Sequence, residues 1–480
     1  MNARNGDPVQ TQEQNSMQTR KSRAISWDSS LIDRYDLAGP RYTSYPTALQ
    51  FKDDFGFDDI HSAIQRSNVS GRPLSLYFHL PFCDTLCYYC GCNKVVTHNK
   101  QRAAPYLKRL DMEMMMQARL FDVSRTITQL HWGGGTPTFI SDEEMSWLMS
   151  ATKKHFNLLS DDSGEYSIEI HPGRVKASTM AHLRKLGFNR VSMGVQDFDP
   201  RVQQAVNRYN SVEEVSELVT SLREQNYHSI SMDLIYGLPL QTLTSVADTL
   251  DKVIEMSPDR LSIFNYAHMP HLFKSQQLIK ESDLPTTNEK LEILRMSIEH
   301  LEKAGYVYIG MDHFAKPSDS LVKAQNQGKL QRNFQGYSTH GDCDLLSFGV
   351  SSISAYGDTY IQNAKQLHQY QQSIDRGDPP AVRGFHLNED DRLRKTIINQ
   401  IICHFDLNIS TIEMLFNIDF FNYFTAEYTE LQQMQQDGLL NLNRHRLQIT
   451  DKGRLLVRRI CMVFDAYLRT NNLIQYSKII

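Results

Sequence analysis

Between Leu74 and Asn265, six apolar strand-like runs alternate with amphipathic stretches, and this alternation narrows the fold more than any other feature of the 480-residue chain. The runs are Leu74–Leu80, Ile127–Trp132, Tyr166–Ile170, Arg190–Val195, Ser229–Ile235 and Arg260–Asn265. Ala104–Phe121, Ala177–Leu186, Ser211–Gln225 and Thr242–Met256 lie between them. In the last stretch Leu243, Val246, Leu250, Val253 and Ile254 recur at helical spacing. Strands separated by helices pair in parallel through right-handed crossovers. With each strand followed by a helix, the expected class is α/β, closed economically as a partial (β/α)6 barrel. Chemistry in such barrels sits at the carboxyl ends of the strands.

The first strand runs into Cys83-x-x-x-Cys87-x-x-Cys90, with Gly91-Cys92 directly after. Three of the seven cysteines thus fall within eight residues. Three thiolates on one short loop can hold three irons of a cubane iron–sulfur cluster, and four would complete the usual shell. An iron left open to a cofactor is what radical S-adenosylmethionine chemistry requires. Zinc or structural thiols are the alternatives. Zinc sites usually pair two Cys-x-x-Cys units, or one with a downstream His pair. Here Cys343, Cys403 and Cys461 stand singly. The odd count and the lack of a secretory segment argue against a disulfide framework.

The chain is 40% hydrophobic and 22% charged with a net charge of −4. That is an ordinary soluble composition, without the basic field of a nucleic-acid binder. No apolar run approaches the length that spans a bilayer. A cytoplasmic protein is expected, and nothing suggests an obligate assembly, so a monomer is expected too. The polar residues 1–26 read as a disordered tail. An N-terminal extension at 27–70 leads into the barrel at 71–315. A connecting segment at 316–387 is expected to complete the site. Residues 388–480 read as a mostly helical, winged-helix-like domain, with short strands near Leu439–Asn441 and Leu447–Thr450. A lid or packing role suits it better than DNA binding. Met112-Glu-Met-Met-Met116 reads as core filling on a helix, because Met is a common gap filler.

Gly133-Gly-Gly-Thr-Pro137 follows the second strand. Glycines let backbone amides and carbonyls approach a ligand closely. One strand after a three-cysteine loop, the run marks a site for the amino-acid end of S-adenosylmethionine. Polar residues end later strands: Glu169, Gln196, Asp197 and Asp233. A lone strand carboxylate is more often an Arg partner, but several at strand ends of one barrel point to a site. Arg208 is the natural cation for a carboxylate there.

On these residues the chain resembles the oxygen-independent coproporphyrinogen III oxidases (dehydrogenases), radical S-adenosylmethionine enzymes of haem biosynthesis. The resemblance is carried by Gly39-Pro-Arg-Tyr-Thr-Ser-Tyr-Pro-Thr-Ala48, Tyr77-Phe-His-Leu-Pro-Phe-Cys83 and Cys90-Gly-Cys-Asn-Lys94. It continues through Leu130-His-Trp-Gly-Gly-Gly-Thr-Pro137, Gly187–Asp197, Asp233–Pro239, Gly310–Ala315 and Arg332-Asn-Phe-Gln-Gly-Tyr337. It implies a radical-SAM barrel with an N-terminal extension and a C-terminal domain. It also implies a 4Fe–4S cluster on Cys83, Cys87 and Cys90, and two S-adenosylmethionine molecules side by side. Tyr77, Gly134 and Glu169 match contacts to the first molecule. Tyr89, Gly135, Thr136, Gln196, Arg208 and Asp233 match contacts around the second. Ala267 and Ile353 match further cofactor contacts that the resemblance assigns to neither molecule. Cys92 matches a fourth cysteine that is tied to activity without binding the cluster. Gly39–Ala48 matches a strip that senses or covers the substrate. Two departures stand out: His171-Pro-Gly-Arg174 replaces an Asp-Pro-Arg pattern, and Tyr89 stands where the family has Phe.

The implied reaction is oxidative decarboxylation of two propionates of coproporphyrinogen III, giving the vinyl groups of protoporphyrinogen IX. It needs an electron donor and an electron acceptor of unspecified identity. Arg41 and Lys94 are candidate cations for the substrate's carboxylates. Two alternatives share the cysteine loop: a haem chaperone, in which the residue after Cys90-Gly is typically aromatic, and a radical methyltransferase that opens haem.

Overall fold

The computed structural model describes residues 25–470. The expected tail at 1–26 lies outside these except for its last two residues. The Ile25 amide donates to Glu302 at 3.0 Å and that of Ser26 to the Asp451 carbonyl at 3.2 Å.

Six strands form the centre: β1 (Leu74–Leu80), β2 (Thr126–Gly134), β3 (Glu165–Ile170), β4 (Arg190–Gln196), β5 (Ser229–Tyr236) and β6 (Arg260–Asn265). They pair in chain order and every pair is parallel. This is the partial (β/α)6 barrel, and helices begin where the sequence caps them. Ser141, Ser211 and Thr242 each accept from an amide three residues on, and the side chain at that third residue accepts in return.

Alternation along the strands sorts side chains between the two faces of the sheet. Ile168, Ile170, Val191, Met193 and Val195 are buried in the main core. The intervening Ser167, Glu169 and Ser192 face a cavity, as do Ser231, Asp233 and Ser262. Closed barrels fill this interior with Val, Ile and Leu. Small and charged residues leave it open here.

The helix that follows β6 comes late. No α-helix directly follows β6. Residues 266–286 run as loop and two short 3-10 turns before the helix Thr287–Lys303. Pro270 and Pro285 obstruct a continuous helix there, and the loop covers the cysteine segment instead.

The sheet continues past both ends of the barrel. Beyond β6 come the antiparallel strands His313–Ala315 and Val307–Gly310. Beyond β1, Asp344–Phe348 pairs in parallel, followed by antiparallel Ile353–Tyr356, Thr359–Asn363 and Ala381–His386. The C-terminal segment packs the helix Glu389–His404 beside a three-stranded antiparallel sheet, Asp406–Asn408, Arg446–Ile449 and Leu440–Leu442. In the Met-rich helix Ala103–Ala118, Met114 is buried, and Met112 and Met116 pack against the core.

A buried ion pair fixes the strand added beside β1. Arg125 Nη2 lies 2.7 Å from Asp344, with the side chains 3% and 5% exposed. Ser67 also donates to Asp344, and Arg125 donates to Ser67 Oγ at 2.9 Å. Asp344→Ala leaves the guanidinium buried and unpaired, which costs about 3–5 kcal/mol. A lowered urea midpoint should report it, whereas an unfolding free energy within about 0.5 kcal/mol of wild type, the scale of an ordinary surface change, would refute it.

Candidate functional site

The cysteine loop is pinned at both ends. Phe82–Cys83 pairs with Val95–Val96, and the Lys94 ammonium donates to the Cys90 carbonyl at 2.8 Å. All seven cysteines are free thiols; Cys83 and Cys87 are buried, Cys90 is half-buried and Cys92 is exposed. Thr136 Oγ1 donates to Cys83 Sγ at 3.6 Å, and Arg208 Nη1 to Cys87 Sγ at 3.7 Å. Burial pushes the Cys83 thiol up to about 11, and a bound metal would reverse that, since coordination deprotonates thiols outright. The Cys92 thiol beside Cys90, and then Lys94, hold Cys90 below the usual thiol range. The loop after β6 forms the roof. Gln276 donates to the Tyr89 and Ala267 carbonyls at 3.0 and 3.2 Å, and Ser275 to the Cys90 carbonyl at 3.3 Å.

The glycine run brings the ends of β1 and β2 into contact. A Cβ on Gly135 would lie 2.7 Å from the Pro81 carbonyl group, and one on Gly134 would lie 2.7 Å from the His79 ring. Gly134 also has φ +111°, a backbone that only glycine adopts cheaply. The Gly134 amide donates to Glu169 at 3.1 Å.

Inside the barrel mouth, Tyr77 and His131 stack with ring centroids 5.7 Å apart and planes 11° from parallel. His131 Nε2 lies 3.1 Å from Glu169. Burial pushes the Glu169 carboxyl up, but its hydrogen bonds to His131 and Gly134 win and hold it below the ordinary range. Asp233 has weaker support, a 3.1 Å bond from Ser192 among them. Burial therefore raises it to about 6. Two carboxylates in one interior are thus set to different protonation ranges.

Two adjoining cavities occupy this interior. One of about 340 Å³ is lined by Tyr77, Cys92, Gly134, Glu169, Phe334 and Ile353 among others. The second, about 250 Å³, contains Asp233 and shares His131, Glu169 and Gln335 with the first.

The structure therefore brings Tyr77, Cys92, Gly134, Glu169 and Ile353 to one cavity and Asp233 to the next. Tyr89, Thr136 and Arg208 gather around the cysteines, and Gln196 and Ala267 sit at the ends of β4 and β6. Gln196 has φ +72° and a buried Oε1 without a protein partner. Arg208 donates to the Gly194 carbonyl as well as to Cys87, and its Nε is buried without a partner. Free buried polar atoms beside the thiols, with a glycine cradle opposite, are the features a cluster and a polar cofactor need. Arg41 lies 3.4 Å from Asp312, so it is already engaged. His171 is buried, and that burial, with the charges of Arg208 and Arg174, holds its ring far below the usual histidine range. The substitution therefore brings a neutral ring. Tyr89 packs against the small apolar cluster that includes Val202, Val206 and Leu238.

Sequence reasoning missed His79, His131, Gln276, Phe334 and Gln335. His131 enters the site because it sits opposite Tyr77 in the β1–β2 register, which only the folded sheet shows. It missed Glu113 inside the Met-rich run as well. That buried carboxylate accepts from the Gly349 amide at 2.8 Å, Asn363 at 2.7 Å and Tyr370 at 2.6 Å, and so ties down the loop that carries Ile353.

Residues 77–253 match the Radical SAM superfamily and residues 387–456 the HemN C-terminal domain. The chain is 53% identical to the oxygen-independent coproporphyrinogen III oxidase of Pseudomonas aeruginosa over 457 residues, 95% of this chain and 99% of that protein. It is 48% identical to the Escherichia coli K12 protein of the same name, with the same coverage. The chain belongs to the oxygen-independent coproporphyrinogen III oxidase family. The solved Escherichia coli coproporphyrinogen III oxidase (HemN), described as a radical SAM enzyme, superposes with a TM-score of 0.88 at 47% identity, covering 93% of this chain and all of that one. Membership of the oxidase family implies a 4Fe–4S cluster and S-adenosylmethionine as cofactors. Among the described residues no helix is long and apolar enough to cross a membrane.

Single replacement of Cys83, Cys87 or Cys90 by Ala should abolish a full cluster in iron and sulfide analysis. Cys92→Ala should retain it. Full iron in any of the first three, or loss in the last, would overturn the ligand set. Gly135→Ala should lower cluster content as well, since the backbone contact at 2.7 Å cannot relax by side-chain rotation.

Proposed function

We propose that this protein catalyses oxygen-independent oxidative decarboxylation of the ring A and B propionates of coproporphyrinogen III, giving the vinyl groups of protoporphyrinogen IX. The observation that carries this is the three-thiol loop opening onto a polar barrel interior, in a chain 53% identical over nearly its whole length to an enzyme of that name. Each propionate loses one β-hydrogen atom, one CO₂ and one electron, which leaves a neutral vinyl group. Acid or base at neutral pH does not easily remove that hydrogen, so the cofactor must carry the hard step.

Cys83, Cys87 and Cys90 would hold the cluster. When bound, the cluster and S-adenosylmethionine supply the one-electron cleavage that makes a hydrogen-abstracting radical. The remaining residues bind and orient. We assign Tyr77, Gly134, Glu169 and Ile353 to a first S-adenosylmethionine, with ionised Glu169 suited to an ammonium group. We assign Tyr89, Gly135, Thr136, Gln196, Arg208, Asp233 and Ala267 to a second, and Cys92 to the reacting substrate. Residues 27–70 would supply the substrate-side strip, 71–315 the barrel, 316–387 the wall that completes the site and 388–480 the packing domain. A cytoplasmic monomer served by a separate electron donor and acceptor fits this reading. Cys92, where a haem chaperone of the superfamily carries an aromatic residue, favours the dehydrogenase reading over the chaperone.

The test is an anaerobic assay of reconstituted protein with reductant, S-adenosylmethionine and coproporphyrinogen III, followed by chromatography. Protoporphyrinogen IX together with 5′-deoxyadenosine supports the proposal. Cleavage of S-adenosylmethionine with the porphyrinogen untouched would sink the substrate assignment. A pH dependence follows from Asp233, whose carboxyl titrates near 6. Its charged form prevails above that pH and is lost as pH falls through it. The KM for S-adenosylmethionine should therefore rise below about pH 6, as protonation of a raised carboxyl removes its charge, and the rise should vanish in Asp233→Asn. An unchanged profile in that variant would remove Asp233 from the binding role.

A further inference from the structure

Behind the wall of the cluster-side cavity lies a small pocket of about 70 Å³. It forms where the Gly39–Ala48 strip, the hairpin Gln331–Ser338 and the helix Glu389–His404 meet. Phe334 lines both this pocket and the cavity that contains Cys92 and Glu169. Two cations line the pocket, Arg332 and Lys395, and no Asp or Glu does. Arg332 Nε and Nη1 are buried and meet no acceptor, while the guanidinium lies 4.8 Å from the centre of the Tyr337 ring. The Lys395 ammonium sits 5.0 Å from the Tyr360 ring centre.

Both side chains are half-buried, with Arg332 Nε and Nη1 fully out of water, and charges withdrawn from water are normally paired. Two aromatic faces screen these cations but do not neutralise them. The carboxylate across the strip, Asp465, is already taken: Tyr42 donates to it at 3.0 Å, and the Tyr467 and Leu468 amides at 3.0 and 3.3 Å. Thr43 and Ser44 add hydroxyl groups to the same wall. Excess positive charge, a planar donor fork, hydroxyl donors and room for a small head group together specify an oxyanion. The two cations named from sequence cannot supply this, because Arg41 faces Asp312 and Lys94 is bonded to the cysteine loop.

We propose that Arg332, with Lys395, binds a propionate carboxylate of the porphyrinogen that is not the one being removed. This rests on the substrate reading given above. The reacting propionate must reach the cavity beside Cys92, so a group held behind Phe334 belongs to another pyrrole ring. Arg332 is then a specificity residue that sets which propionate faces the radical.

The test uses reconstituted holoenzyme and the variants Arg332→Gln, Arg332→Lys and Lys395→Gln, each checked for iron content. Loss of a charge-assisted contact should raise the KM for coproporphyrinogen III by about ten- to a hundredfold, with the KM for S-adenosylmethionine unchanged. Titration with coproporphyrin III should weaken in parallel, and Arg332→Lys should recover part of both. Inorganic phosphate at millimolar concentration should compete with the porphyrin in wild type and not in Arg332→Gln. Wild-type turnover with both Gln variants unchanged in porphyrin affinity and KM would overturn the subsite alone. Wild type that neither binds nor converts the porphyrinogen would overturn the subsite and the substrate reading together. Should Arg332→Gln lose iron, Lys395→Gln decides the matter by the same readouts.

Discussion

The contact between the ends of β1 and β2 is the constraint from which the rest of the site follows. The Gly135 amide donates to the Leu80 carbonyl at 2.9 Å, and the Thr136 amide to that of Phe82 at 2.8 Å. The ladder therefore runs beyond β1 into the cysteine loop itself. Any side chain at Gly135 would collide with the Pro81 backbone and push the two apart. Because the approach is that close, Thr136 reaches Cys83, and the Gly134 amide turns inward onto Glu169. Tyr106 extends the same arrangement outward: it donates to the His79 carbonyl at 2.6 Å and accepts from the Val350 amide at 3.1 Å. Helix, strand end and the loop carrying Ile353 thus share one anchor.

The second constraint is electrostatic. A polar interior costs desolvation unless its groups find partners. Glu169 finds two good donors and stays ionised, whereas Asp233 relies on serine hydroxyls and is pushed toward neutrality. The same enclosure therefore produces two carboxyls of different character, which is the usual way one cavity serves two tasks. Arg208 links this interior to the thiols, since its guanidinium reaches both Cys87 and the Gly194 carbonyl.

The barrel was legible because its helices and strands carry clean periodicities, and the cysteine loop because ligand spacing within one loop is local. His131 and Phe334 were not legible for the opposite reason. Their positions depend on register between strands and on a hairpin folding back from residues far along the chain. Glu113 was hidden by its neighbours: four methionines suggested a uniformly apolar face, while the partners that make a buried carboxylate tolerable lie more than two hundred residues away. The edge strands from 344 to 386 escaped notice because their signal is short. Their placement depends on the Arg125–Asp344 pair rather than on local propensity.

The N-terminal strip is held less by the barrel than by the C-terminal segment. Arg458 donates to the Gly39 and Pro40 carbonyls at 2.7 and 3.1 Å, and Asp465 accepts from Tyr42. Tyr360, from an edge strand, completes the hold by donating to the Tyr45 carbonyl at 3.0 Å. The strip is thus one wall of a mouth whose other parts come from residues some 300 to 400 positions later. Loop-closure entropy for so long a separation must be met by native contacts that form together. The strip therefore cannot order by itself, and the C-terminal segment that anchors it is what gives the barrel mouth this wall.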